Sequence, residues 1–316
     1  MTKPLSLLER AAQVYDFGEH ARARAVQPTA VDAWAAPAVA DALPDTIPAE
    51  FRARPAVDAA VPEEYRAPAE GEPAHIDRLM LAERGMIVPG APVGPLAEEF
   101  RLVKRQLLIT RERIAGSTTP DKARSILVCS ARPGEGKTFC SINLALSLAA
   151  ERDTEVLLID ADFAKPDIMA QFGLDDSLGL LDAIADPALD PESLVVETDV
   201  PHLSILPAGS PIATDTELLA SARTRAVIAR LLAANPRRLL IFDSPPALAA
   251  SPASVLAMLV GQVMLVVRAD TTPEDELRDA VSLLDGCDHI ALVLNAVSFV
   301  PGGARFGTYY GQEDRT

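Results

Sequence analysis

The chain has 316 residues, 49% of them hydrophobic, which is enough for one sizeable buried core with extensions. Its formal net charge of −16 repels nucleic acid and anionic lipid, so direct binding to either is disfavoured. No apolar stretch approaches the ~18–20 residues of a membrane span, and no secretory apolar run begins the chain, so we expect a cytoplasmic protein with no direct span.

The N-terminal part of the sequence predicts a short helix followed by a linker. Residues 1–20 contain leucines and other apolar residues at the spacing of an amphipathic helix. Residues 21–74 are dominated by Ala, Pro, Glu, Asp and Arg, a composition that leaves little to bury. Such a composition is typical of an extended, largely disordered linker.

A helical segment is predicted over residues 75–119. Its best helix begins at Pro95 and ends near Arg113, with an apolar stripe that includes Phe100 and Leu107. The opposite face of that helix is charged. We therefore interpret it as a candidate interaction surface.

From residue 120 to residue 300, apolar runs of strand length alternate with amphipathic runs of helix length. This alternation predicts an α/β domain with a doubly wound, mostly parallel sheet and helices on both faces. Residues 301–316 are predicted to form a flexible tail that contains tyrosines. The predicted strands are 125–129, 156–159, 203–206, 239–242, 263–267 and 290–294, and the predicted helices are 137–150, 178–185, 216–233, 251–259 and 274–284.

A glycine-containing segment lies between the first strand and the following helix. Residues 130–138 read Ser-Ala-Arg-Pro-Gly-Glu-Gly-Lys-Thr, a phosphate-loop pattern in which Ala131 replaces the first glycine. Close backbone wrapping lets successive N–H groups face the β- and γ-phosphates of a nucleotide. Lys137 would supply positive charge and Thr138 a Mg²⁺ ligand. The alternative is a simple strand-to-helix turn, which the flanking strand and helix disfavour.

Three aspartates come at the ends of two other predicted strands. Asp160 and Asp162 share a face after one strand, and Asp243 follows another. Ligands of open α/β sheets bind at these strand ends. One carboxylate of the pair could orient metal-bound water, and the other could accept a proton during phosphoryl transfer. The alternative is that they merely terminate the strand.

These motifs, in this order, resemble those of bacterial tyrosine kinases over roughly residues 90–300. The chain is similar in particular to the autokinases without a fused membrane region that are associated with exopolysaccharide and exosortase systems. The resemblance implies a P-loop NTPase fold and the use of ATP and Mg²⁺. It is carried by residues 134–138 (Gly-Glu-Gly-Lys-Thr), 158–162 (Leu-Ile-Asp-Ala-Asp), 206–209 (Leu-Pro-Ala-Gly), 217–219 (Glu-Leu-Leu), 243–246 (Asp-Ser-Pro-Pro) and 266–268 (Val-Val-Arg).

The resemblance also implies roles for individual residues. Lys137 matches the Walker A lysine, and the three aspartates match the paired Walker A′ carboxylates and the Walker B carboxylate. The implied catalytic residues are Lys137, Asp160, Asp162 and Asp243; the implied metal ligands are Thr138, Asp160 and Asp243; and the implied nucleotide contacts are Gly134, Glu135, Gly136, Lys137, Thr138, Phe139 and, at the adenine, Asn295.

The resemblance also implies which residues assemble the subunits and which tyrosines accept the phosphoryl group. The family's Glu-x-x-Arg-x-x-Arg/Lys motif corresponds to Glu98, Arg101 and Lys104, which a helix places on one face. The alternative is a solvated charged face. Tyr309 and Tyr310 are the implied acceptors, phosphorylated across a homo-oligomeric ring. A membrane chain-length regulator, or polysaccharide co-polymerase, is the implied activator, and it would recruit the chain to the inner face of the cell membrane.

Two features of the sequence keep other functions open. Ala164 stands where the family has an arginine, although Lys165 follows it. Arg132 stands where switch ATPases of the positioning type carry a signature lysine, and an arginine could partly imitate that lysine. The alternatives are therefore a switch ATPase and a catalytically silent nucleotide-binding adaptor.

Overall fold

Seven strands form one sheet in the computed structural model, which describes residues 72–116, 121–210 and 215–297. Six strands run parallel, and only β3 is antiparallel to its neighbour β4, in the order β3-β4-β2-β5-β1-β6-β7. The mostly parallel sheet is thus confirmed. The strands are β1 (Ser125–Ser130), β2 (Glu155–Asp160), β3 (Val196–Glu197), β4 (Leu203–Leu206), β5 (Arg238–Asp243), β6 (Gln262–Arg268) and β7 (Ile290–Asn295).

Helices cover both faces of this sheet. The first four helices share a buried cluster with one face, and the last five lie on the other side. They are α1 (Arg78–Glu83), α2 (Pro95–Ala115), α3 (Lys137–Ala149), α4 (Ile168–Phe172), α5 (Leu180–Ala185), α6 (Asp215–Leu219), α7 (Ala222–Ala234), α8 (Pro252–Ala257) and α9 (Glu274–Leu283), with 3-10 turns at Lys122–Arg124 and Pro191–Leu194.

The alternation of side chains along β1 explains the two buried layers. Ile126 and Val128 point to the cluster beneath α2 and α3, whereas Leu127 and Cys129 point to the cluster beneath α7 and α8. All four are at most 1% exposed. A strand covered on both faces needs apolar residues at every position, which is why the strands appear in the sequence as continuous apolar runs. The doubly wound architecture is confirmed.

The structure corrects one predicted helix and adds two short elements. The prediction of a single helix over residues 216–233 is wrong, because the helix is interrupted between α6 and α7. At the start of α7, Ser221 accepts a hydrogen bond from Thr224 N at 3.4 Å. That contact caps the new helix. The strand β3 and the helix α4 have two and five residues, too few to show a hydrophobic period.

Helix α2 packs on α3 as part of the same core as the sheet. Phe100, Leu107 and Ile114 are each at most 5% exposed on its inner face. Within the described ranges, no helix is long and apolar enough to cross a bilayer. Cys129 and Cys140 are buried free thiols whose pKa burial raises to about 12, so both are held as neutral thiols.

Several predicted segments fall outside the described residues. They are the helix of residues 1–20, the linker of residues 21–74 apart from its last three residues, and the tail of residues 301–316 with Tyr309 and Tyr310.

Candidate functional site

The loop between β1 and α3 has the backbone geometry of a phosphate cradle. Gly134 and Gly136 have φ angles of 79° and 93°, in the left-handed region that favours glycine. A Cβ atom on Gly136 would lie 2.1 Å from the side-chain nitrogen of Asn295, so no other residue fits there. Gly134 has open space around the same position. The positive φ angle favours glycine at both positions, and at Gly136 the close approach of Asn295 favours it as well.

The backbone amides of this loop are available to an anion. Within the part of the chain that the structure describes, the N–H groups of residues 134–139 have no hydrogen-bond acceptor. Consecutive free N–H groups at the start of a helix favour phosphate oxygens. The loop residues thus fit the triphosphate of a nucleotide.

Neighbouring elements fix the shape of the loop. The Glu135 carboxylate is 4% exposed and accepts hydrogen bonds from Arg132 N at 3.0 Å and from the Thr272 hydroxyl. Arg268 Nη1 donates to Gly134 O at 3.0 Å. Asn295 Nδ2 donates to the backbone oxygen of Glu135 at 2.8 Å. Thr272 was not expected from the sequence, because a lone threonine in a loop carries no motif.

The predicted P-loop lysine reaches one of the paired aspartates. Lys137 Nζ lies 2.5 Å from Asp162 Oδ2, and their side chains are only 13% and 7% exposed. Burial acts to lower the pKa of Lys137, but the charge of Asp243 and the hydrogen bond to Asp162 outweigh it, and the net pKa is raised. The ammonium group is therefore stabilised in its charged form by its contact with Asp162 and by the charge of Asp243.

Asp243 binds two hydroxyl groups of α3. Thr138 Oγ1 donates to one carboxylate oxygen at 2.7 Å, and Ser141 Oγ donates to the other at 2.9 Å. Burial raises the pKa of Asp243 to about 6, against the opposing effect of Lys137 and the two hydroxyls. Ser141 was missed by the sequence analysis, although it follows Lys137 by four residues and so shares its helix face.

Asp160 is bound by backbone N–H groups instead. Its Oδ2 accepts from Asp167 N at 2.9 Å and Ile168 N at 3.0 Å, and its Oδ1 accepts from Asp162 N at 3.2 Å. Burial and the charge of Asp243 raise its pKa to about 7, and these amides oppose the rise. In the β2–β5 register Asp160 lies opposite Asp243, so both carboxylates end at the same edge.

The oxygen atoms at this edge suit Mg²⁺, which prefers carboxylate, hydroxyl and phosphate ligands. Thr138 and Asp243 lie together, whereas the two oxygens of Asp160 already accept from backbone amides. Across the described residues, no group of three or more His, Cys, Asp or Glu side chains could hold a metal by itself. A magnesium ion here would therefore complete its ligand set with phosphate oxygens and water.

The remaining predicted site residues lie elsewhere. Phe139 packs against the core on the α2 side of the sheet. On α2, Glu98 pairs with Arg101. Lys104 Nζ turns towards α3, where it donates to Ser147 O at 2.8 Å and lies 2.6 Å from Glu151 Oε1. Arg132 Nε lies 3.0 Å from Glu276 Oε2 of the same chain.

The sequence is similar to curated kinases over most of their length. A family model described as "AAA domain" matches residues 123–272. Tyrosine-protein kinase YwqD of Bacillus subtilis (strain 168) is 28% identical over 234 residues, which is 73% of this chain and 93% of YwqD. Tyrosine-protein kinase CpsD of Streptococcus agalactiae is 30% identical over 195 residues, which is 60% of this chain and 82% of CpsD.

The fold is similar to a solved kinase domain. The kinase domain of Escherichia coli tyrosine kinase ETK superposes with a TM-score of 0.59 at 23% identity, covering 78% of this chain and 88% of that domain. With the phosphate loop and the three strand-end aspartates in the expected order, and with CpsD matched over four-fifths of its length, this chain belongs to the bacterial tyrosine-protein kinases.

Proposed function

We propose that this protein is an ATP-dependent tyrosine autokinase that transfers the γ-phosphoryl group of ATP to tyrosines of its own C-terminal tail and so regulates exopolysaccharide production. The single observation that carries the proposal is the 2.5 Å contact between Lys137 and Asp162, beside the Thr138–Asp243 pair. It unites a phosphate-binding cation with a carboxylate suited to accept a proton.

The residues of the loop would bind the triphosphate. The free N–H groups of residues 134–139 would donate to the phosphate oxygens, and Lys137 would supply the positive charge. Thr138 and Asp243 would bind Mg²⁺, directly or through water, with help from Asp160. Bound Mg²⁺ would supply neutralisation of the negative charge on the phosphates.

The ion pair gives Asp162 two states. While Lys137 contacts it, the carboxylate is paired and is not available as a base. Phosphates compete for the same ammonium group, since phosphate–ammonium contacts are strong charge-assisted hydrogen bonds. A lysine that turns to the phosphates leaves Asp162 free to accept the proton of an incoming tyrosine hydroxyl. Substrate binding and activation of the base are thereby linked.

Tyr309 and Tyr310 are the proposed acceptors, offered by a neighbouring subunit of a ring. Each phosphotyrosine adds about −1.5 to −2 charges, which would weaken ring contacts on a chain that is already acidic. Glu98 and Arg101 on α2 are the proposed contact residues, with Lys104 contributing from the same helix. Assembly would then cycle with phosphorylation.

Recruitment and activation by a membrane chain-length regulator are part of the proposal. The motif resemblance to autokinases of exopolysaccharide systems supports it. The protein would then act in the cytoplasm, at the inner face of the cell membrane, through that partner.

The test is phosphopeptide mapping of purified full-length chain after incubation with MgATP. We expect label on the peptide that contains Tyr309 and Tyr310, and loss of most label in the double Phe variant. The matched control replaces the other two tyrosines of the chain, Tyr15 and Tyr65, and should retain the label.

Other outcomes would support a different function. Steady phosphate release without phosphotyrosine, even with the membrane partner present, would favour a switch ATPase and reject the kinase proposal. Binding of nucleotide with neither reaction would favour a silent adaptor.

A further inference from the structure

A segment before the first long helix is bound along the edge of the catalytic domain. Residues 74–84, here called the strap, begin with Ala74, which pairs with the chain just beyond β3 through hydrogen bonds to Glu197 O at 2.7 Å and from Asp199 N at 2.9 Å. The Asp199 carboxylate accepts from Ile76 N at 3.1 Å and lies 2.5 Å from Arg78 Nη1. The start of the strap is thus fixed by backbone pairing and by the partly buried carboxylate of Asp199.

The far part of the strap contacts α4. Asp77 N donates to Phe172 O at 3.0 Å, and Arg84 Nη1 donates to Ala170 O at 3.2 Å and to Gln171 Oε1 at 2.6 Å. The buried side chains Ile76, Leu81 and Phe172, all 0% exposed, belong to one apolar cluster. The C-terminal half of α4 therefore lies between the strap and the core.

The opposite end of α4 reaches the active-site edge. The N–H groups of Asp167 and Ile168, at its first turn, are the two donors to Asp160 Oδ2. Helix α4 has only five residues, about one and a half turns, so the strap contacts and those donors lie on one short helix. A displacement of so short a helix moves both ends together.

We infer that the strap positions Asp160: by fixing α4, it keeps the N–H groups of Asp167 and Ile168 against that carboxylate. This inference rests on the proposed function, in which Asp160 assists phosphoryl transfer. Residues 74–84 are then positioning residues that touch neither the phosphate loop nor the Lys137–Asp162 pair.

The experiment compares three variants of the full-length chain. Arg84→Ala removes both side-chain contacts with α4, and its exposed position leaves the core intact. Arg84→Lys is the conservative variant, because both contacts come from one nitrogen, which a lysine ammonium can replace. Arg230→Ala is the matched control, since Arg230 is an exposed arginine whose partner, Asp190, lies outside both the strap and the site.

Two readouts separate the inference from the proposed function. In Arg84→Ala, hydrogen exchange at Asp167 and Ile168 should accelerate by about tenfold, while exchange in β1 stays unchanged. The kcat for phosphotyrosine formation should fall by about fivefold with the KM for ATP within about twofold, since the phosphate loop is untouched. Arg84→Lys should restore most of both values, and Arg230→Ala should alter neither.

Unchanged exchange at Asp167 and Ile168 in Arg84→Ala would overturn the inference. Faster exchange with an unaltered kcat would also overturn it and would leave the kinase function standing. A wild-type protein that forms no phosphotyrosine would instead overturn the proposed function, and the exchange measurement would still decide whether the strap fixes α4.

Discussion

The catalytic edge, where β1, β2 and β5 end and Lys137, Asp162 and Asp243 lie, and the outer face of α2 were both expected to carry function. The two regions differ in how their charged groups are placed. At the catalytic edge, the side chains of Lys137, Asp162 and Asp243 are largely buried and contact partners from neighbouring elements. On α2, the Arg101 side chain is 48% exposed and, among the described residues, its ion pair is with Glu98 of the same helix. Strand register fixes the first set, whereas long exposed side chains leave the second set free to exchange partners.

Lys104 shows the difference most clearly. It belongs to the same predicted motif as Arg101 but is only 12% exposed, and it contacts Ser147 on α3 and Glu151 just after that helix. In this subunit it joins two helices of one core. A residue assigned to assembly by its motif therefore has a structural role as well, and experiments must separate the two.

The largest effect is expected for Lys137→Met. The substitution keeps a similar apolar stem but removes the cation that contacts the phosphates, so the Kd for MgATP should rise by about 100-fold or more. Isothermal titration calorimetry measures this directly. Lys122→Met, at the opposite end of β1, is the control and should leave the affinity unaltered. Unchanged affinity in Lys137→Met would exclude the phosphate-loop assignment.

A second effect concerns pH. Burial raises the pKa of Asp160 to about 7 and that of Asp243 to about 6, above the value of about 4 for an exposed aspartate. Between about pH 4 and these raised pKa values, the folded chain therefore binds more protons than the unfolded chain. The stability they contribute is fully present below about pH 4 and is lost as the pH rises through 6 to 7.

The melting temperature of nucleotide-free protein should therefore be lower at pH 8 than at pH 5.5, at constant ionic strength. Asp243→Asn should reduce this dependence, and Asp190→Asn, at an exposed position, should preserve it. A wild-type melting temperature that rises over the same range would contradict the placement of the two buried carboxylates.

The smallest effect separates the two basic residues of the α2 motif, Arg101 and Lys104. Lys104→Ala should lower the free energy of unfolding by about 1 kcal/mol, because a partly buried ion pair and a hydrogen bond are lost. Arg101→Ala should change it by less than about 0.5 kcal/mol while reducing the mass seen by light scattering. Equal losses of stability in urea titrations would remove the distinction between the two residues.

The sequence was sufficient for six of the seven strands and for the loop, because these depend on local patterns. Continuous apolar runs identified β1 and β5, and the spacing of Gly136 and Lys137 identified the phosphate loop. The contacts of Asn295 and Thr272 with Glu135 could not be predicted, since they join residues more than 130 positions apart. These contacts depend on β6 pairing with β1 and β7 pairing with β6, an order of strands that no local pattern specifies.

The role of α4 was hidden for a similar reason. A five-residue helix has too few residues for a hydrophobic period, and its importance comes from two backbone N–H groups rather than from a side chain. Backbone donors leave no signal in the residue types that carry them. The same limit applies to the strap, whose pairing at Ala74 depends on the backbone alone.

The most direct test of the central claim is Asp162→Asn, measured for both phosphotransfer and ATP affinity. We expect phosphotyrosine formation to fall by about 10²- to 10⁴-fold, as for loss of a general base, while the Kd for MgATP changes only a few-fold. Asn keeps the size of the side chain and an oxygen for Lys137, so the fold should be retained. Phosphotyrosine formation at the wild-type rate in Asp162→Asn would contradict the account.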